Sequence, residues 1–148
     1  GSAQPKKISG TITFDEGYAG TSAIAVTFTI VGNVTESVTV NVDPSTGAYT
    51  FDLPNTITSG TAEIAVDAST FLIKKASATI GATGATGVDF ALINGDIDSD
   101  NAVTVFDYGI LSDQFDTAGP DADLDGDGAV TVFDYGILSD NFDKTGDE

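Results

Sequence analysis

The sequence predicts a two-domain chain: an all-β sandwich of about seven strands over residues 1–93, then a small all-α domain of two loop–helix repeats over 94–148. Three observations predict it. Apolar and polar residues alternate with a period of two through most of residues 7–92, the pattern of half-buried strands. The charge then shifts abruptly. Residues 94–148 carry 14 Asp and one Glu against Lys144, a net of −14, whereas residues 1–93 carry eight acids and four lysines, a net of −4; together these give the formal −18. Such a step marks a boundary at Asn94-Gly95. Finally, Ala102–Asp113 and Ala129–Asp140 both read AVTVFDYGILSD, 27 residues apart, which is a tandem duplication.

The strands are expected at Lys7–Phe14, Ala23–Val31, Ser37–Val42, Ala48–Leu53, Thr61–Val66, Phe71–Ile80 and Gly87–Leu92, rich in Val, Ile, Thr and Phe. Turn residues separate them at Gly32-Asn33, Asp43 to Gly47, Pro54-Asn55 and Ser59-Gly60. Asn33-Val34-Thr35 matches a glycosylation triplet, a pattern too common to carry a role. Helices are expected after each acidic loop, within repeats 96–116 and 123–143. The stretches before the loops, Leu92 to Gly95 and Thr117 to Pro120, hold glycine or proline and are not helical.

Composition excludes whole classes of chemistry. The chain has no Cys, His, Met or Trp, so thiolate and imidazole metal sites and the commonest general base are absent. A net charge of −18 opposes binding to nucleic acid or an anionic membrane. No apolar run approaches the roughly 18–20 residues of a membrane span. Gly1-Ser2 resembles a cloning scar, so a leader ahead of it would have been removed.

The acidic loops carry the chemistry. Asp96, Asp98, Asp100 and Asp107 occupy positions 1, 3, 5 and 12 of one loop, and Asp123, Asp125, Asp127 and Asp134 the same positions of the next. This is the calcium-loop spacing of the EF-hand. Alternate residues of a tight loop point at one centre, the position-7 carbonyls of Ala102 and Ala129 add a ligand, and position 12 closes the cage from the first helical turn. Position 6 must turn left-handed, which Gly128 does without cost and Asn101 does better than other side chains. Thr104 and Thr131 open each helix as the first residue of a capping box whose acid is Asp107 or Asp134. Two calcium ions are expected.

Helical spacing sets Tyr108, Leu111 and Phe115, led by Val103, on one face, and Val130, Tyr135, Leu138 and Phe142 on its copy; these faces are expected to pack together. Val105, Phe106 and Ile110, and Val132, Phe133 and Ile137, then form a second apolar face around Gly109 and Gly136. A helix so short does not need two apolar faces to fold, and the glycines would let another backbone approach.

A calcium loop plus exiting helix, twice over and without entering helices, resembles the dockerins, across residues 94–143. Position 12 is Asp where the EF-hand has Glu, and positions 10 and 11 are Val-Phe in place of the family's small polar pair. The resemblance implies a cohesin-like partner domain contacting Val105, Phe106, Gly109, Ile110 and Asp113, or the copies Val132, Phe133, Gly136, Ile137 and Asp140, in either of two orientations. Residues 7–92, with ISGTITF, TGAYTF and VDFAL, resemble carboxypeptidase-regulatory-like and other Ig-like, prealbumin-type sandwiches. Together these imply a non-catalytic, secreted or cell-surface interaction module of a larger protein, with a carbohydrate-active enzyme as the candidate parent. A calcium-rigidified stalk or anchoring segment is the alternative. A carbohydrate-binding sandwich comes third, using Tyr18, Tyr49 or Phe51.

Overall fold

The computed structural model describes residues 6–14, 18–119 and 121–147; Gly1-Ser2 and Pro120 lie outside them. Two sheets face each other. One is fully antiparallel in the order β3 (Thr35–Val42), β2 (Ile24–Val31), β5 (Thr61–Ala68) and β7 (Lys74–Thr79). The other centres on β1 (Lys7–Thr13), which pairs antiparallel with β4 (Ala48–Asp52) and parallel with the short β8 (Gly84–Ala85) and β9 (Phe90–Ala91). Alternation decides which side chains meet between them. Val26, Phe28 and Ile30 of β2 and Ile64 and Val66 of β5 are wholly buried, opposite Ile8 and Ile12 of β1. The Phe28 ring lies 4.6 Å from Tyr49 and 4.9 Å from Phe51, and the Tyr49 hydroxyl donates to the Val88 carbonyl at 2.5 Å. Turn chemistry acts as expected in the Asp43 turn, where Asp43 Oδ1 accepts the Ser45 N–H at 2.9 Å.

The expected division into a sandwich and a separate all-α domain is corrected by the structure. The chain is mostly β, with ten strands among the described residues and only two short helices, α1 (Val105–Gln114) and α2 (Val132–Asp140). Strand pairing crosses the expected boundary: β10 (Asn94–Asp96) pairs antiparallel with β6 (Thr70–Phe71). The single strand expected over Phe71–Ile80 is interrupted because Leu72 and Ile73 turn away from the sandwich. The Leu72 N–H donates to the Ile93 carbonyl at 2.8 Å, and its side chain is buried in a second core with Ile97, Val103, Leu111, Ala122, Leu124, Val130 and Leu138. The charge step at residue 94 thus falls between two cores that Leu72 and the β6–β10 pairing tie together.

The two repeats interlock about a local two-fold. The Asp143 N–H donates to the Val103 carbonyl at 2.8 Å, and its counterpart Asp116 to Val130 at 2.9 Å. Each repeat thus ends by pairing with the loop of the other.

Candidate cation cages and the apolar helix faces

Each loop is folded by its own carboxylates. In the first, Asp96 accepts the N–H groups of Asp100 at 3.1 Å and Asn101 at 2.9 Å. Asp107 accepts those of Asp98 at 3.0 Å and Thr104 at 2.7 Å. The second loop repeats the plan. Asp134 accepts from Asp125 at 3.0 Å and Thr131 at 2.7 Å, and Asp123 Oδ2 from Gly128 at 2.8 Å. Both helices open on the complete capping box that the Thr-x-x-Asp spacing calls for. Asn101 and Gly128 adopt φ of +67° and +91°, the left-handed turn required at position 6. Position 4 is left-handed too, at Ser99 (+63°) and Gly126 (+73°), which the loop pattern did not disclose.

The eight carboxylates form two groups of four, Asp96, Asp98, Asp100 and Asp107, and Asp123, Asp125, Asp127 and Asp134; within each, one ligand oxygen per residue lies within 4.8 Å of the others. Oxygens 2.3–2.6 Å from a common ion can be at most about 5 Å apart, so each set is compact enough to surround one cation. The donors are oxygens only, the chemistry of a hard divalent ion. Asp107 and Asp134 are wholly buried, and Asp123 Oδ1 is buried with no hydrogen-bond partner, a position in which a carboxylate oxygen calls for a positive neighbour. Electrostatics agree. Burial, with further pressure from the Asp107 charge, pushes the Asp96 carboxyl up to about 7, and burial does the same to Asp125, next to Asp134. Asp127, bound by the Ala129 N–H, is instead held down.

The helix faces divide differently from the pattern expected of them. Val103, Leu111, Val130 and Leu138 are buried, but Tyr108, Phe115, Tyr135 and Phe142 are half-exposed. The helices are too short to cover these rings, and the core is completed by Leu72, Ile97, Ala122 and Leu124. Tyr108 and Tyr135 meet edge to face at 5.7 Å across the local two-fold. Of the residues expected on the outer face, Phe106 and Phe133 are each 70% exposed, and Val105 and Val132 are 61% and 62% exposed. Gly109, Asp113 and Asp140 are also exposed, while Gly136 is intermediate. Ile110 and Ile137 are partly buried against the second core, so they belong to the rim of the face and not its centre. Tyr49 and Phe51 are core residues, and Tyr18 packs on Phe14 and Phe71.

Two groups escaped sequence reasoning. Ile97 and Leu124 stand at position 2 of the loops, and an apolar residue between two acids was a legible sign of burial. Asn94 gave no such sign. It is wholly buried, donates to the Leu124 carbonyl at 2.6 Å, accepts from Thr70 at 2.8 Å, and its carbonyl takes the Asn141 side chain at 2.9 Å.

No family model matches the sequence, and no curated protein matches it. Among solved structures, one chain of a type II cohesin–X-dockerin complex from Acetivibrio cellulolyticus, an N-terminal interface mutant, is similar to this chain with a TM-score of 0.71. The identity is 22%, and the likeness covers 95% of this chain and 97% of that one. It is a likeness of fold, and it runs through both parts of the chain together. Among the described residues no helix is long and apolar enough to cross a membrane.

Proposed function

We propose that this chain is a non-catalytic, calcium-dependent docking module that joins a larger extracellular protein to a cohesin-type partner. The observation that carries the reading is the pair of near-identical apolar faces, with Phe106 and Phe133 each 70% exposed, mounted directly on helices that begin inside the two carboxylate cages. Large side chains exposed in register are uncommon without a partner, and buried aromatic anchors dominate interfaces. In this reading, calcium is held by Asp96, Asp98, Asp100, Asp107 and the Ala102 carbonyl, and by Asp123, Asp125, Asp127, Asp134 and the Ala129 carbonyl. The ion neutralises four converging carboxylates and so fixes the first turn of each helix, which sets the angle of the outer face. The fold likeness to a chain of a cohesin–X-dockerin complex supports the same class of partner, and the local two-fold supports docking in two orientations.

A stalk would bury both phenylalanines or leave the faces polar, and neither is the case. Among the described residues the sandwich presents no exposed aromatic platform for a sugar: Tyr49 and Phe51 lie in the core, and Tyr18 packs on Phe14 and Phe71. The test is capture of a partner from secreted proteins, or of a cohesin-type domain, on the immobilised chain. Retention in calcium and release by chelator is expected. Equal capture with and without calcium would refute the calcium dependence, and no capture of any cohesin-type domain would refute the partner class.

A further inference from the structure

The two cages lead into identical helices, but their loops differ at position 2, Ile97 against Leu124, and, more sharply, at positions 4 and 6, Ser99 and Asn101 against Gly126 and Gly128. These differences coincide with what each loop touches. Asn101 faces Ile73 and the chain's end: it accepts the Ile73 N–H at 2.8 Å and donates to the Asp147 carbonyl at 3.0 Å. Gly126 lies against the connection between β1 and β2. A Cβ there would fall 2.9 Å from the Gly20 Cα and N and from the Tyr18 ring, closer than real Cβ contacts come. Beside it, the Asp125 carbonyl accepts two N–H groups, from Ala19 at 2.5 Å and from Gly20 at 3.1 Å.

Resting on the calcium reading above, we propose that Tyr18, Ala19 and Gly20 are positioning residues for the second cage. The Ala19 and Gly20 N–H groups grip position 3 of the loop from outside while the Tyr18 ring lies against position 4, so that the Asp125 carboxylate is already turned inward when the cation arrives. The tethers of the first cage are elsewhere, on Ile73 and Asp147. The two ions therefore bind to unequal sites in spite of the duplicated helices, and the sandwich acts on the second one. Holding a ligand in its bound shape raises affinity by removing the cost of ordering it.

The duplication supplies the test. Gly126→Ser places at position 4 the residue that the first loop already carries there at φ +63°, so the left-handed turn and the cage tolerate it. What it disturbs is the contact with Tyr18 and Gly20. Calorimetric calcium titration of the whole chain is expected to show two sites. Gly126→Ser should weaken one of them about tenfold or more, the equivalent of about 1.4 kcal/mol, and leave the other within about twofold, while Ser99→Gly leaves the second site unchanged. Two unchanged sites, or two equally weakened ones, would overturn the proposal, whereas a wild-type chain that binds no calcium would overturn the reading beneath it. Should Gly126→Ser fail to fold, amide exchange of the wild-type chain decides the matter. Protection of the Ala19 and Gly20 amides must rise when the second site fills, and indifference of both refutes the positioning role.

Discussion

At the scale of single residues, the cages set like charges against one another and bury two carboxylates of each set, Asp96 and Asp107, and Asp125 and Asp134. Asp96 and Asp125 are raised to about 7 by burial, against about 3.9 for an unfolded Asp. Between pH 4 and 7 the folded, cation-free chain therefore holds more protons than the unfolded one. Its stability must fall as pH rises through that window. In the calcium reading, the ion would take the place of those protons and remove the effect. Thermal melts in chelator should accordingly show a lower Tm at pH 7 than at pH 5, with little or no decline in calcium. A cation-free Tm that climbs over the same interval would contradict the electrostatic account. That these acids converge in two groups of four was legible from their spacing, because acids at alternate positions of a tightly turning loop face one centre. Asn94 was not, since a lone Asn at a charge boundary reads as a turn until its partners Leu124, Thr70 and Asn141 are in place.

Among the elements, α1 and α2 are poor helices on their own. Each is only ten or nine residues long and contains a mid-helix glycine, Gly109 or Gly136. Nothing lies within 4 Å of a Cβ built at either position, so the chain itself has no steric need for glycine there. Gly109→Ala and Gly136→Ala should each stabilise the folded protein by about 0.5–1 kcal/mol, read as a raised denaturation midpoint. If the glycines admit a partner's backbone, the double variant should bind that partner more weakly despite its greater stability. Unchanged binding would make the glycines irrelevant to docking. The helices themselves were readable from the repeat, and β2 and β3 from alternation. The break in the strand expected over Phe71–Ile80 has no sign in the sequence, because Leu72 is as apolar as its neighbours and only its destination in another core sets it apart. The pairing of β10 with β6 was hidden for the same reason: a three-residue strand of Asn, Gly and Asp has no strand propensity, and tertiary contacts alone hold it.

For the whole molecule, the sandwich and the repeats share strand pairing, tethers and a core residue, yet both carboxylate groups lie in the repeats. In the calcium reading proposed above, the ion at about a hundred times its dissociation constant would contribute roughly 2.7 kcal/mol per site, and two sites would contribute as much as the entire stability of many small domains. In chelator, amide exchange should quicken through residues 97–147 and also at Ala19, Gly20 and Ile73, whose N–H groups reach into the loops. The central strands β2 and β5 should stay protected. Loss of protection throughout the sandwich would mean that the chain unfolds as a single unit. Retention everywhere would mean that the loops do not depend on a cation.

The central claim is that the duplicated outer faces dock the chain to its partner, and one binding series tests it most directly. The affinity of the whole chain for its captured partner is measured in calcium for the wild type, Phe106→Ala, Phe133→Ala and the double variant. Loss of one of two equivalent docking modes costs RT ln 2, about 0.4 kcal/mol, whereas loss of a buried aromatic anchor costs about 2 kcal/mol or more. Each single variant should thus bind within about twofold of the wild type, and the double variant should lose binding while keeping its helices and both cations. One single variant that abolishes binding beside a neutral one would confine docking to one helix. A folded double variant that binds as tightly as the wild type would contradict the account.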